Sequence, residues 1–110
     1  MTIQLTAVLD IAHAHTAAFE SAITTLAKAA TTEPGVLDYG FWRDPVQPGR
    51  YLIRERYADQ AAVDTHMALA DVVAFTVLLP EWLTEDSHVI LETTTDLTRI
   101  PLSRSQEGAL

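Results

Sequence analysis

The sequence predicts an α+β domain whose elements run strand, helix, strand, strand, helix, strand, and three observations predict it. Apolar and polar residues alternate with a period of two at Thr2 to Leu9, 36–43, 51–57 and 88–94, as in half-buried strands. The period lengthens to that of a helix over Thr16 to Ala30 and again between Asp59 and Leu83. Pro and Gly punctuate the joints, at Glu33-Pro34-Gly35 and at Asp44-Pro45-Val46-Gln47-Pro48-Gly49.

In the first strand Ile3, Leu5, Ala7 and Leu9 share one side. The first helix presents Phe19, Ile23, Leu26, Ala27 and Ala30, with Thr16 as the expected N-cap and Glu20 in the first turn. Pro34 and Gly35 end it. The second strand, Val36 to Arg43, sets Leu37, Tyr39 and Phe41 against Asp38, Gly40 and Trp42. The third, Tyr51 to Tyr57, sets Tyr51, Ile53, Glu55 and Tyr57 against Leu52, Arg54 and Arg56, making a hairpin with the second. Asp59 is the expected N-cap of a helix through Leu69, followed by an apolar helical stretch from about Val72 to Leu83 that Pro80 should interrupt. His88 to Thr94 is the last strand. This order is the split βαβ, ferredoxin-like arrangement with a four-stranded antiparallel sheet. Residues 1–95 form the domain, and 96–110 lose periodicity and read as a C-terminal arm or tail. Helices on one side leave the other sheet face bare although it carries Leu and Trp residues, so a second subunit is the expected cover.

The 110 residues suit one domain, and 48% apolar with 20% charged residues is a globular balance. No Cys is present, which excludes disulfides, thiolate metal sites and thiol nucleophiles. Seven Lys and Arg against 15 Asp and Glu give a net charge of −8, with Lys28 the only lysine. That balance disfavours nucleic acid and anionic membranes as partners. With no signal peptide and no transmembrane run, the expected location is the cytoplasm.

Among chemistry-bearing residues, His66 stands out, because a near-neutral imidazole on a helix over the sheet can accept a phenolic proton. A packing histidine is the bland reading. The aromatic residues Tyr39, Phe41, Trp42, Tyr51, Tyr57, Phe75 and Trp82 suit either a core or a cavity for flat rings. Tyr57 and Trp82 are expected nearest His66. Glu55 is expected to pair with an Arg such as Arg43 rather than to act as acid or base. His13, His15 and His88 have no metal-ligand spacing, so no metal site is expected. Ser87, Ser103 and Ser105 lack any nucleophile context, and no glycine-rich phosphate loop exists.

Glu33-Pro34-Gly35-Val36-Leu37-Asp38-Tyr39, Arg43-Asp44-Pro45, Tyr51 to Asp59 and Ala61-Ala62-Val63-Asp64-Thr65-His66, in this order, resemble the antibiotic biosynthesis monooxygenase family. The resemblance covers Thr2 to roughly Thr95. It implies a dimeric α+β barrel and, in many members, oxidation of aromatic or quinol substrates by O₂ without a metal, flavin or haem cofactor. The family also holds haem-degrading enzymes, an isomerase of a small sugar-derived signal and proteins of unknown activity. Departures from its pattern are specific. Tyr57 stands where many members have Trp, and Ala70-Asp71-Val72 occupies the place of a second His. The haem-degrading relatives use an axial His in the later helix and an Asn on the first strand. Here Asp71 to Leu83 contains no His and Asn is absent altogether.

The resemblance, together with His66 in an aromatic neighbourhood, implies a cofactor-independent monooxygenase, a homodimer taking a small aromatic substrate and O₂. His66 and Tyr57 are its expected catalytic residues, and Tyr39, Phe41, Phe75 and Trp82 the substrate-binding ones. A non-catalytic dimeric binding or stress-related module and an O₂-independent isomerase are the alternatives.

Overall fold

The computed structural model describes residues 1–84, 87–96, 98, 100 and 101. Most of the arm expected over 96–110, with Ser103 and Ser105, lies outside the described residues. The elements are β1 (Thr2–Asp10), α1 (Thr16–Ala30), β2 (Val36–Arg43), β3 (Arg50–Tyr57), α2 (Gln60–Met67), α3 (Ala70–Trp82) and β4 (His88–Thr94). The strands form one antiparallel sheet in the order β2-β3-β1-β4. The expected βαββαβ order is therefore the observed one.

One face of the sheet carries the core. Ala7 and Leu9 of β1 and Tyr51 and Ile53 of β3 meet Phe19, Ile23 and Leu26 of α1 and Val72, Phe75 and Trp82 of α3. Burial of these side chains is the main stabilising term, at roughly 1.5–3 kcal/mol for each large one. The alternation of β3 is seen directly, with Tyr51, Ile53, Glu55 and Tyr57 all buried.

Several local expectations are corrected. Thr16 is the first residue of α1 rather than its cap; a 3-10 turn at His13–His15 leads into the helix, and the Thr16 hydroxyl donates to the His13 carbonyl at 3.1 Å. Glu20 lies beyond the first turn, where it pairs with Arg43 at 3.3 Å and accepts from the Tyr51 hydroxyl. Leu37 does not join Tyr39 and Phe41 on the core face. A bulge between Val36 and Asp38 rotates it outward, leaving it 51% exposed. Pro80 does not interrupt α3, which starts at Ala70 and runs through to Trp82. Only its last turn follows the proline, so one missing N–H is tolerated there.

Asp59 caps α2 as expected, accepting from the Ala62 N–H at 2.9 Å. Two joints require glycine. Gly49 turns the hairpin with φ +82°, and its carbonyl accepts from the Ile11 N–H at 2.8 Å. A Cβ on Gly35 would overlap that of Ala62, so the turn after α1 approaches α2 at a distance only glycine permits. Among the described residues no single helix is long and apolar enough to cross a membrane. α2 and α3 meet that test only as a pair, and the break between them bends by 73°.

Candidate functional site

Three elements meet where Gly35 touches α2. Ala62 and His66 lie one helical turn apart on that helix, so the contact that seats Ala62 on Gly35 also brings His66 over the turn carrying Glu33. The imidazole is buried, and its Nδ1 lies 3.0 Å from Glu33 Oε2 and 3.2 Å from Oε1. An ionised carboxylate only accepts, so Nδ1 carries the hydrogen and donates. On the other side of the ring, Nε2 lies 3.7 Å from Glu55 Oε1, within ion-pair reach.

Glu55 arrives from β3, opposite Leu5 of β1 and Tyr39 of β2. It accepts a hydrogen bond from the Tyr57 hydroxyl, two residues further along the same strand face. The Tyr39 and Tyr57 rings each lie 5.5 Å from the His66 ring, centroid to centroid. Burial raises the Glu55 carboxyl above its usual range, while the Tyr57 hydrogen bond and His66 pull it back. Burial, and then the negative charge of Glu55, holds the phenols of Tyr39 and Tyr57 well above theirs. Both phenols therefore stay protonated, and that of Tyr57 donates to Glu55.

A cavity of about 130 Å³ opens between sheet and helices beside this cluster. Leu5, Ile53 and Val89 line it from the sheet and Phe75 and Leu79 from α3; Tyr39, Glu55, His66 and Thr76 supply polar atoms. On its outer side His66 also borders a surface groove shared with Glu33, Leu69 and Asp71. The imidazole thus stands in the wall between an inner apolar space and the outside. Its two carboxylates lie at opposite nitrogens, so they converge on no common point. Among the described residues no group of three or more His, Asp or Glu is placed to hold a metal ion.

The expected site residues divide. His66, Tyr57, Tyr39 and Phe75 gather at or beside the cavity. Phe41 packs against the core without lining that space. Trp82 is not a neighbour of His66. Its ring packs edge-on against Phe19, which lies tilted against Tyr51 with centroids 4.6 Å apart, and Tyr51 and Tyr57 stand at opposite ends of β3, roughly 20 Å apart. Arg43 is not the partner of Glu55, being held by Glu20. Glu33 was missed as a member of the cluster. Its sequence signal was the Pro34-Gly35 pair, which reads as a turn and says nothing of what the turn packs against.

The profile of the antibiotic biosynthesis monooxygenase family matches residues 2–77. The chain belongs to that family. No curated protein matches it in sequence. Among solved structures, Rv0793 from Mycobacterium tuberculosis is 17% identical with a TM-score of 0.82, over 90% of this chain and 100% of that one. A Deinococcus radiodurans protein assigned to the antibiotic biosynthesis monooxygenases is 26% identical with a TM-score of 0.78, over 92% and 99%. SnoaB from Streptomyces nogalater, described as a cofactor-independent oxygenase, is 19% identical with a TM-score of 0.72, over 87% and 95%. The likenesses to Rv0793 and SnoaB establish the fold, and the family match establishes the relationship.

Proposed function

We propose that the chain is a cofactor-independent monooxygenase that oxidises a small, electron-rich hydroxylated aromatic or quinol with O₂. The observation that supports this reading most is the ionisable wall, Glu55 and His66, of a mostly apolar cavity. A phenol there loses its proton to that wall. The resulting anion reduces O₂ by one electron, and the radical and superoxide combine at a ring carbon. The peroxide takes back a proton and loses water, leaving a quinone: one oxygen atom enters the ring and the other departs as water. The protein contributes orientation, exclusion of water and the proton acceptor. About 130 Å³ suits a single ring. For comparison, an engineered apolar cavity of about 150 Å³ takes benzene.

The working form in this reading is a homodimer with the bare sheet faces covered. Trp42, Leu52 and Ile90 are exposed on that face, and the buried Nε of Arg54 has no hydrogen-bond partner among the described residues. A second copy supplies both the apolar cover and an acceptor.

The test is incubation with hydroquinones and dihydroxynaphthalenes under ¹⁸O₂. Product carrying one labelled oxygen, formed faster than in buffer alone, is the expected result. Consumption no faster than the buffer rate with every compound contradicts the proposal.

A further inference from the structure

Deprotonating a phenol is half of a proton cycle, because the peroxide formed later needs a proton back. We propose that Glu55, His66 and Glu33 form a proton store, in which the proton leaving the ligand is held on His66 between two carboxylates and is later returned. The proposal rests on the reading of the cavity as a site for a hydroxylated ring, and it gives Glu33 and Glu55 roles that the family match does not assign.

The geometry that points to a store is the two-sided clamp on the imidazole. Glu33 accepts from Nδ1 at 3.0 Å, which fixes the tautomer and leaves the Nε2 lone pair turned toward Glu55, 3.7 Å away. Glu55 lines the cavity beside His66, so its carboxylate is placed to accept from a bound hydroxyl. In the first step the ligand O–H bond breaks and a Glu55 O–H bond forms. In the second, once Nε2 and Oε1 close from 3.7 Å to hydrogen-bond distance, that O–H bond breaks and a His66 Nε2–H bond forms. The ring is then an imidazolium with an ionised carboxylate at each nitrogen, in the wall between the cavity and the outer groove. Both steps move a proton only, and both reverse when the peroxide oxygen requires it.

The other groups facing the imidazole do not compete for the proton. Tyr39 and Tyr57 stand 5.5 Å from its centre with phenols held protonated, and the Tyr57 hydroxyl is committed to Glu55. Asp71 borders the outer groove with Glu33 and adds negative charge on that side. Glu33 does not line the cavity, so it is a positioning residue that acts through His66. Glu55 lines the cavity, within reach of a hydroxyl on a ring bound there.

The test uses 4-nitrophenol, a single-ring phenol whose ionised form is coloured, and needs no turnover. It is bound to the full chain in weakly buffered solution with a pH indicator present, and the His66 ring is followed by NMR. The expected result is bound phenolate, an imidazolium signal from His66 and no matching release of protons to the medium. In E33Q the bound probe should ionise on the order of tenfold less readily at the same pH, since one of the two charges holding the imidazolium is gone. H66Q should bind the probe un-ionised. If burial makes H66Q fold poorly, E33Q at its partly exposed position still decides. One proton released per phenolate bound, or equal ionisation in E33Q and the unaltered chain, overturns the store while leaving the cavity reading intact. Failure of every form to bind the probe overturns both.

Discussion

Glu33 and His66 stand 33 residues apart in the chain, yet the carboxylate receives the imidazole Nδ1–H at 3.0 Å. The closeness of Gly35 to Ala62 makes that meeting possible, since it sets the distance between the turn after α1 and α2. A methyl group at position 35 must displace one of them. Gly35→Ala is therefore expected to cost about 1–3 kcal/mol through overpacking. It should also separate Glu33 from His66. Urea denaturation reads the first effect, and the NMR shift of the Nδ1 proton reads the second.

The raised carboxyl of Glu55 carries a pH signature. Burial lifts it above its usual value of 4.5, so above that pH the folded chain holds a proton that the unfolded chain releases. Stability from this group is complete below the unfolded value and declines as pH rises through the folded one. Thermal melts of the unaltered chain and Glu55→Gln from about pH 4 to about pH 8 isolate the effect. The unaltered chain should lose ground relative to the variant as pH rises. A difference that is flat, or that runs the other way, contradicts the burial of an ionisable carboxyl at this position.

Phe75 forms part of the cavity wall and packs edge-on against Trp82 behind it. Phe75→Leu should enlarge the space for a modest loss of about 1–2 kcal/mol. Two-ring dihydroxynaphthalenes should then gain in kcat/KM relative to single-ring hydroquinones. Initial rates on the two substrate classes, compared between variant and parent, measure the shift.

The bare sheet face predicts the assembly. Trp42 is 47% exposed there, with the Arg54 guanidinium 5.1 Å from its ring centroid. A charge placed amid those side chains opposes burial against a second copy, so Leu52→Glu should turn dimers into monomers. Sedimentation velocity across a concentration series checks this. A monomeric parent chain would count against the homodimer.

The element order was legible because β1 and β3 each bury one side and α1 presents a regular apolar stripe, patterns that depend on neighbours in sequence. Leu37 escaped such a reading, since its outward turn comes from a bulge that only the pairing of β2 with β3 creates. Pro80 was read as a break because a proline removes one hydrogen bond. How near it stands to the end of α3 depends on where Trp82 packs.

The site was half legible. His66 could be singled out by its chemistry, and Tyr57 by its expected nearness to His66, which the 5.5 Å ring separation matches. Trp82 was assigned to the wrong end of the sheet, because helix length alone does not fix which end of a strand a helix terminus reaches. Arg43 was matched to Glu55 on charge, whereas the structure satisfies Glu55 with a phenol and an imidazole and gives Arg43 to Glu20. Glu33 required knowing that two segments touch.

The central claim is that the wall formed by Glu55 and His66 takes a proton from a bound hydroxylated ring and so starts its reaction with O₂. The most direct measurement is O₂ uptake with a hydroquinone substrate by the unaltered chain, His66→Ala and Trp82→Phe side by side, each corrected for autoxidation in buffer. The account predicts protein-dependent uptake that falls on the order of 10²-fold in His66→Ala, the scale of a lost general base, and is unchanged in Trp82→Phe. Uptake by folded His66→Ala equal to that of the unaltered chain would contradict it.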